Sequence, residues 1–240
     1  MRSCIPRATR RWPKHAVTLT GVCIIAGLAA AQQSQPTSPD PLRFERDIRA
    51  FAEWDRKNSF PADAVLFVGS SSIVGWETRA SFPDWPVINR GFGGSQMSDL
   101  NHFFDDVVKP YRARAIVVYE GDNDIAEGVS PEVVRDGFAT FVGKVRALQP
   151  ETPIVLLSIK PSASRWDHWP RMQAANALLR KLAQEQKNVM LVDVATPLLG
   201  DDGQPKASLY KDDRLHLNAA GYEVWTSTLK PVLERLALRH

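Results

Sequence analysis

Three consecutive serines, Ser70-Ser71-Ser72, follow an apolar run at residues 64–68 and Gly69, and the stretch Asp213-Arg214-Leu215-His216 lies about 25 residues from the C-terminus. A hydroxyl on a tight turn after a buried strand, with a carboxylate three residues before an imidazole, is equipment for nucleophilic acyl transfer. The imidazole takes the hydroxyl proton, and the carboxylate holds its tautomer and orientation. Between the two lie Gly91-Phe92-Gly93-Gly94 and Gly121-Asp122-Asn123-Asp124, which suit donation to a developing oxyanion. Chemistry alone leaves the nucleophile open among the three serines, and a serine-rich turn can equally serve as a helix cap, with Ser72 a plausible N-cap. His216 is the base by elimination: His15 lies in an apparent leader, His240 is terminal, His102 falls in an expected helix, and His168 lies in an aromatic stretch. Asp212 is the rival to Asp213 as the orienting carboxylate.

Such groups must be brought together by a scaffold. Five short apolar runs, residues 64–68, 87–89, 115–119, 154–159 and 189–194, read as buried strands. They alternate with segments of helical period. Phe44, Ile48, Phe51 and Trp54 recur at helical spacing, with Pro41 suited to a first turn. Residues 98–111 read as a helix. Ser130-Pro131 can cap and start another, striped by Val134, Phe138, Phe141, Val145 and Leu148, and Met172, Ala175, Leu179 and Leu182 mark the next. Asn218 can cap the last, which Pro231 should kink or split by removing a backbone donor. Alternation of this kind predicts an α/β domain with a parallel sheet covered on both faces, and in such sheets ligands bind beyond the carboxyl ends of the strands. Ser70–72, Gly91–94, Gly121–Asp124 and the stretch from Ser158 to Ser162 each follow a predicted strand.

Taken together, these four blocks resemble the SGNH (GDSL-type) hydrolases over nearly all of residues 41–240. That family carries a Gly-Asp-Ser block, a second-block Gly, Gly-x-Asn-Asp and a terminal Asp-x-x-His. Here they correspond to Gly69-Ser70-Ser71, Asn89-Arg90-Gly91-Phe92-Gly93-Gly94, Gly121-Asp122-Asn123-Asp124 and Asp213-Arg214-Leu215-His216. The resemblance implies a three-layer α/β/α, flavodoxin-like fold with a five-stranded parallel sheet. It implies Ser71, His216 and Asp213 as the triad, and the Ser71 N–H, the Gly94 N–H and the Asn123 side chain as oxyanion donors. Ser70 stands where the family has its Asp, which removes a charge beside the nucleophile. Asp124 reads as a buried acceptor. Asp122 and Glu120 could pair on a metal, but no third ligand is spaced to join them, so neither metal nor organic cofactor is expected.

The formal charge of +3 is misleading, because residues 1–31 carry five basic residues and no acid; the remainder has 25 Lys and Arg against 27 Asp and Glu. A nucleic-acid partner is therefore not expected. The basic start, the apolar stretch at residues 16–31 and Ala29-Ala30-Ala31 before Gln32 read as an export signal cleaved after Ala31, giving a secreted or periplasmic protein without stable membrane insertion. An uncleaved anchor and a lipidated Cys23 are the competing readings, although Val22 fits poorly before a lipidated cysteine. Both cysteines, Cys4 and Cys23, lie in this leader, so the mature chain has no thiol chemistry. Residues 32–40 read as a flexible tether and 41–240 as one domain. The expected partner is a small-molecule or glycan ester. Trp76, Trp85, Trp166 and Trp169 lean the reading toward carbohydrate O-acetyl groups, since aromatic rings stack on sugar faces. Lysophospholipase or thioesterase action is the alternative, and a non-catalytic glycan- or acyl-binding domain is a third reading.

Overall fold

The structure, a computed structural model, describes Met1 and residues 39–237. The expected export signal and tether, apart from Met1, Pro39 and Asp40, lie outside the described residues. Five parallel strands form one sheet: β1 (Val65–Gly69), β2 (Val87–Gly91), β3 (Ala115–Tyr119), β4 (Ile154–Leu157) and β5 (Val189–Val192), in the order β2-β1-β3-β4-β5. The helices between and around them are α1 (Glu45–Lys57), α2 (Ser71–Val74), α3 (Thr78–Ser81), α4 (Met97–His102), α5 (Phe104–Val107), α6 (Asp122–Ala126), α7 (Pro131–Leu148), α8 (Trp169–Glu185) and α9 (Ala219–Ala237). This is the three-layer α/β/α arrangement expected from the sequence.

Strand side chains alternate between faces, and two cores result. Leu66, Val68, Ile116, Val118, Ile154 and Leu156 face α1, α4, α5, α7 and α8 through Ile48, Leu100, Phe104, Phe138, Phe141, Met172 and Leu179. Val65, Phe67, Val117, Val155 and Leu157 face the other way, against Ile73 of α2 and Trp225, Leu229 and Leu233 of α9. Burial on both faces explains why these strands are continuously apolar rather than alternating.

Three local expectations need correction. Residues 98–111 do not make one helix. Gln96 and Asp99 form a capping box that starts α4, and the backbone breaks at Phe103 (φ −90°, ψ 18°), so that Phe103, Phe104 and Val107 can all be buried. Pro231 neither splits nor ends α9, because Leu229, Leu233 and Leu236 pack against the sheet on both sides of it. Burial of three leucines outweighs one missing backbone hydrogen bond. At the serine turn the N-cap position is Ser70 rather than Ser72, and its side chain makes no capping bond. Elsewhere local signals act as read: Ser130 Oγ accepts from Val133 N, and Asn218 Oδ1 accepts from Gly221 N at the start of α9.

The turn that carries the serines depends on Gly69. Its φ of +138° is open only to glycine, and an added Cβ would lie 1.9 Å from the carbonyl oxygen of Tyr119. Backbone strain and overpacking would combine at one position. Gly69→Ala should therefore cost about 3 kcal/mol or more of stability, read as a lower midpoint in urea unfolding of the purified protein. An unchanged midpoint would mean that this turn can relax.

Candidate active site

β1 ends at Gly69, and α2 begins two residues later, so the chain turns sharply with Ser71 at its apex. Ser70 and Ser72 are buried, and Ser71 is the partly exposed member of the three. Ser71 is the first residue of α2, so its N–H is not used by the helix's own bonding pattern. From the far end of the chain, His216 brings Nε2 to 3.0 Å from Ser71 Oγ. Its Nδ1 lies 2.6 Å from Asp213 Oδ2, while Asp213 Oδ1 accepts from the backbone N–H groups of Leu215 and His216 at 2.9 Å each. Hydrogen bonding from His216, then from those two amides, holds the Asp213 carboxyl well below the usual carboxylate range. The carboxylate thus stays ionised opposite Nδ1–H, leaving Nε2 unprotonated and directed at the hydroxyl. Asp212 makes no such contact among the described hydrogen bonds; the loop's left-handed residue is Arg214 (φ +55°).

The loop that carries Asp213 and His216 is pinned from several sides. Lys211 N donates to His216 O at 2.8 Å, Ser164 N to Arg214 O at 3.2 Å, and Tyr210 Oη to Pro161 O at 2.7 Å. Tyr222 Oη reaches across to Ser72 O at 2.9 Å, tying α9 to the serine turn. A groove of about 420 Å³ lies beside these parts, between Gly75, Glu77 and Ser81 on one side and Lys211, Asn218 and Tyr222 on the other; Ser71 and His216 do not line it.

The two glycine-bearing blocks meet at the same sheet edge. Gly94 is exposed with φ +84°, and a Cβ on the adjacent Gly93 would stand 3.9 Å from Ser71 Cβ. Asn123, at the start of α6, is half-buried; its Nδ2 donates to Ser95 O at 2.8 Å. Asp124 accepts from Met97 N at 3.0 Å, and Ser95 Oγ lies within hydrogen-bonding distance of both Phe92 O and Glu120 Oε1. The loop after β3 therefore fixes the loop after β2 at three points. Burial, then the neighbouring Asp124, pushes the Glu120 carboxyl well above its ordinary value, which favours its neutral form. That state also satisfies the Ser95 hydroxyl, whose single proton cannot serve both Phe92 O and Glu120 at once.

Sequence reasoning missed a polar group behind Asn123. Lys160 Nζ lies 3.0 Å from Asp122 Oδ2, and Arg165 NH1 lies 3.0 Å from both Asp122 Oδ1 and Asn123 Oδ1. Burial raises the Asp122 carboxyl, but Lys160 and then Arg165 overcome that effect and hold it below its ordinary value. The signal for Lys160 was its place just past β4; nothing in spacing pointed to Arg165. Among the tryptophans, Trp76 and Trp169 are core residues, and Trp85 packs on Phe82 just before β2 begins, away from the carboxyl edge. Three of the four are thereby removed as sugar-stacking candidates. Trp166, next to Arg165, is the one left near the site. His102 is exposed, edge-on to Phe103, in keeping with a surface role. Among the described residues, no three His, Cys, Asp or Glu side chains are grouped to hold a metal ion.

Residues 67–224, more than half of the 240-residue chain, match the GDSL-like lipase/acylhydrolase family. The chain belongs to that family. No curated protein matches it in sequence. Solved structures of the same fold include a candidate platelet activating factor from Streptococcus pneumonia, at 25% identity and a TM-score of 0.72, covering 79% of this chain and 92% of that one. A GDSL-like lipase from Bacteroides thetaiotaomicron is 20% identical with a TM-score of 0.70, over 78% of this chain and 97% of the other. A variant of an acetyl xylan esterase from Geobacillus stearothermophilus is 16% identical with a TM-score of 0.58, over 72% and 96%. The acylhydrolase family and the serine–histidine contact agree on the kind of chemistry this sheet edge can support.

Asp124 supplies a test of the buried acids. Burial lifts its carboxyl from 3.8 to about 7, against the opposing hydrogen bond from Met97. Between about pH 4 and 7 the folded chain then binds more protons than the unfolded one, so this residue makes stability fall as pH rises through that window. Asp124→Asn, which keeps an acceptor for Met97, should show a shallower decline of Tm from pH 4 to 7. Some slope should persist, because Glu120 and Asp99 are shifted in the same direction. An unaltered slope in melts across that range would show that Asp124 is ionised throughout.

Proposed function

We propose that the protein is an exported serine esterase that hydrolyses carboxylic esters through an acyl-enzyme. One observation carries the reading: Ser71 Oγ lies 3.0 Å from His216 Nε2 while Asp213 holds the other ring nitrogen at 2.6 Å. In this reading Ser71 attacks the ester carbonyl as its proton passes to Nε2. The Ser71 N–H, the Gly94 N–H and the second Nδ2 hydrogen of Asn123 receive the oxyanion. His216 then gives its proton to the leaving alcohol and later draws one from the water that frees the acyl group. No step calls for a metal or an organic cofactor.

The export component rests on residues 1–31, with cleavage after Ala31; intact mass of the protein recovered outside the cytoplasm tests it. None of the helices among the described residues is long and apolar enough to cross a membrane. As substrate we favour a carbohydrate O-acetyl ester. Its support is the export signal and Trp166 beside Arg165, while related folds carry both lipase and acetyl xylan esterase descriptions. A panel of acetylated sugars against esters of graded chain length separates these.

Ser71→Ala and His216→Ala should each cut hydrolysis of p-nitrophenyl acetate by about 10³-fold or more with the melting temperature retained. A fluorophosphonate probe should label the wild type and not Ser71→Ala. Labelling of neither protein would favour a binding domain, and equal labelling of both would move the nucleophile to Ser70 or Ser72. Asn123→Ala should lower kcat by about 10²–10³ and leave KM nearly unchanged. Because Asp213 remains ionised far into acid, the acid limb of the kcat/KM profile should report protonation of His216. A rate independent of acid pH would contradict the base role.

A further inference from the structure

Asn123 can serve an oxyanion only if its amide faces one way. A half-turn about its last side-chain bond would exchange oxygen for nitrogen and aim a lone pair where a proton is needed. Two contacts forbid that exchange: Ser95 O can only accept, and the Arg165 guanidinium can only donate. The first takes one Nδ2 hydrogen at 2.8 Å, and the second holds Oδ1 at 3.0 Å. A cation on Oδ1 also draws electron density through the amide, which makes the remaining Nδ2 hydrogen a stronger donor.

Arg165 is itself held in place. The same NH1, whose hydrogen bond goes to Asn123 Oδ1, lies 3.0 Å from Asp122 Oδ1 in an ion pair, so the carboxylate anchors the guanidinium by charge. Asp122 Oδ2 is already engaged by Lys160 Nζ at 3.0 Å and by Tyr119 Oη at 3.2 Å. One carboxylate thus faces two cations. Lys160 and Asp122 are nearly fully buried, and the Arg165 side chain is 21% exposed at the site's rim. Lys160, Arg165 and Asp122 together carry one net positive charge beside the Asn123 amide, and burial raises the nearby Glu120 carboxyl well above its ordinary value. Arg165 also follows Ser164, whose N–H is bonded to Arg214 O in the catalytic loop.

We propose, resting on the esterase reading above, that Arg165 is a positioning residue for acyl transfer: supported by Asp122 and Lys160, it locks and polarises the Asn123 amide that receives the oxyanion. Asp122, the x of the pattern Gly-x-Asn-Asp, is on this account part of the same device.

The test is a double-mutant cycle on p-nitrophenyl acetate with Arg165→Ala and Asn123→Ala. Arg165→Ala should lower kcat about 10-fold or more while KM moves by less than about 2-fold, and that loss should largely vanish when Asn123 is already alanine. Arg165→Lys keeps the charge but not the fork, so its loss should be smaller and equally abolished by Asn123→Ala; it carries the test if the alanine variant does not fold. An undiminished Arg165 effect in the Asn123→Ala background would overturn the proposal, since a merely structural arginine acts there too. A change confined to KM, or no change, would also overturn it. If the wild type neither turns over the ester nor accepts a fluorophosphonate, the esterase reading falls first and this inference with it.

Discussion

Parallel pairing sets where Ser71, Gly94 and Asn123 can stand. Gly69 at the end of β1 is in register with Gly91 at the end of β2 on one side and with Tyr119 at the end of β3 on the other. Three chains therefore leave the sheet at the same level. Within two to four residues they deliver Ser71, the Gly93–Gly94 turn and Asn123. Slipping any strand by one residue would reverse its inward and outward side chains, and both cores resist that. The burial of Leu66, Phe67 and Val68 is thus what fixes the position of a hydroxyl several ångströms away.

The carboxyls following β3 show how environment decides chemistry. Burial, then the neighbouring Asp124, raises the Glu120 carboxyl well above its ordinary value; Asp122, two residues further on, is also buried but held below its ordinary value because Lys160 and Arg165 face it. Asp124 lies between these extremes, with a backbone amide as its main support. A buried acid without a partner gives up its charge, and one with two cations keeps it. The three side chains occupy alternate positions in the same short segment, so sequence proximity says nothing about which behaviour each adopts.

Much of the architecture could be read from the chain itself. The five apolar runs fall on the five strands, because strands buried on both faces leave a continuous signature; β2 extends further than its apolar part, since Arg90 is buried against Tyr111 and Asp55 rather than exposed. The Asp-x-x-His spacing was legible because those residues sit on a single loop. What stayed hidden came from contacts distant in sequence. Arg165 meets Asn123 across 42 residues, and no local pattern marks a guanidinium for that partner. Pro231 and the break at Phe103 were misread for the opposite reason: local rules were applied where burial of neighbouring leucines and phenylalanines decided the outcome.

Ser71 and His216 stand on parts of the fold that differ in burial. Ser71 stands on the sheet between two cores, whereas Asp213 and His216 belong to a solvent-facing loop, with Asp213 47% exposed and Arg214 in a left-handed conformation. Segments with few buried contacts open at lower free energy than the core they adjoin. On warming, the imidazole should leave the Ser71 hydroxyl before the strands separate, so this contact should depend on a handful of loop hydrogen bonds rather than on the strength of the interior.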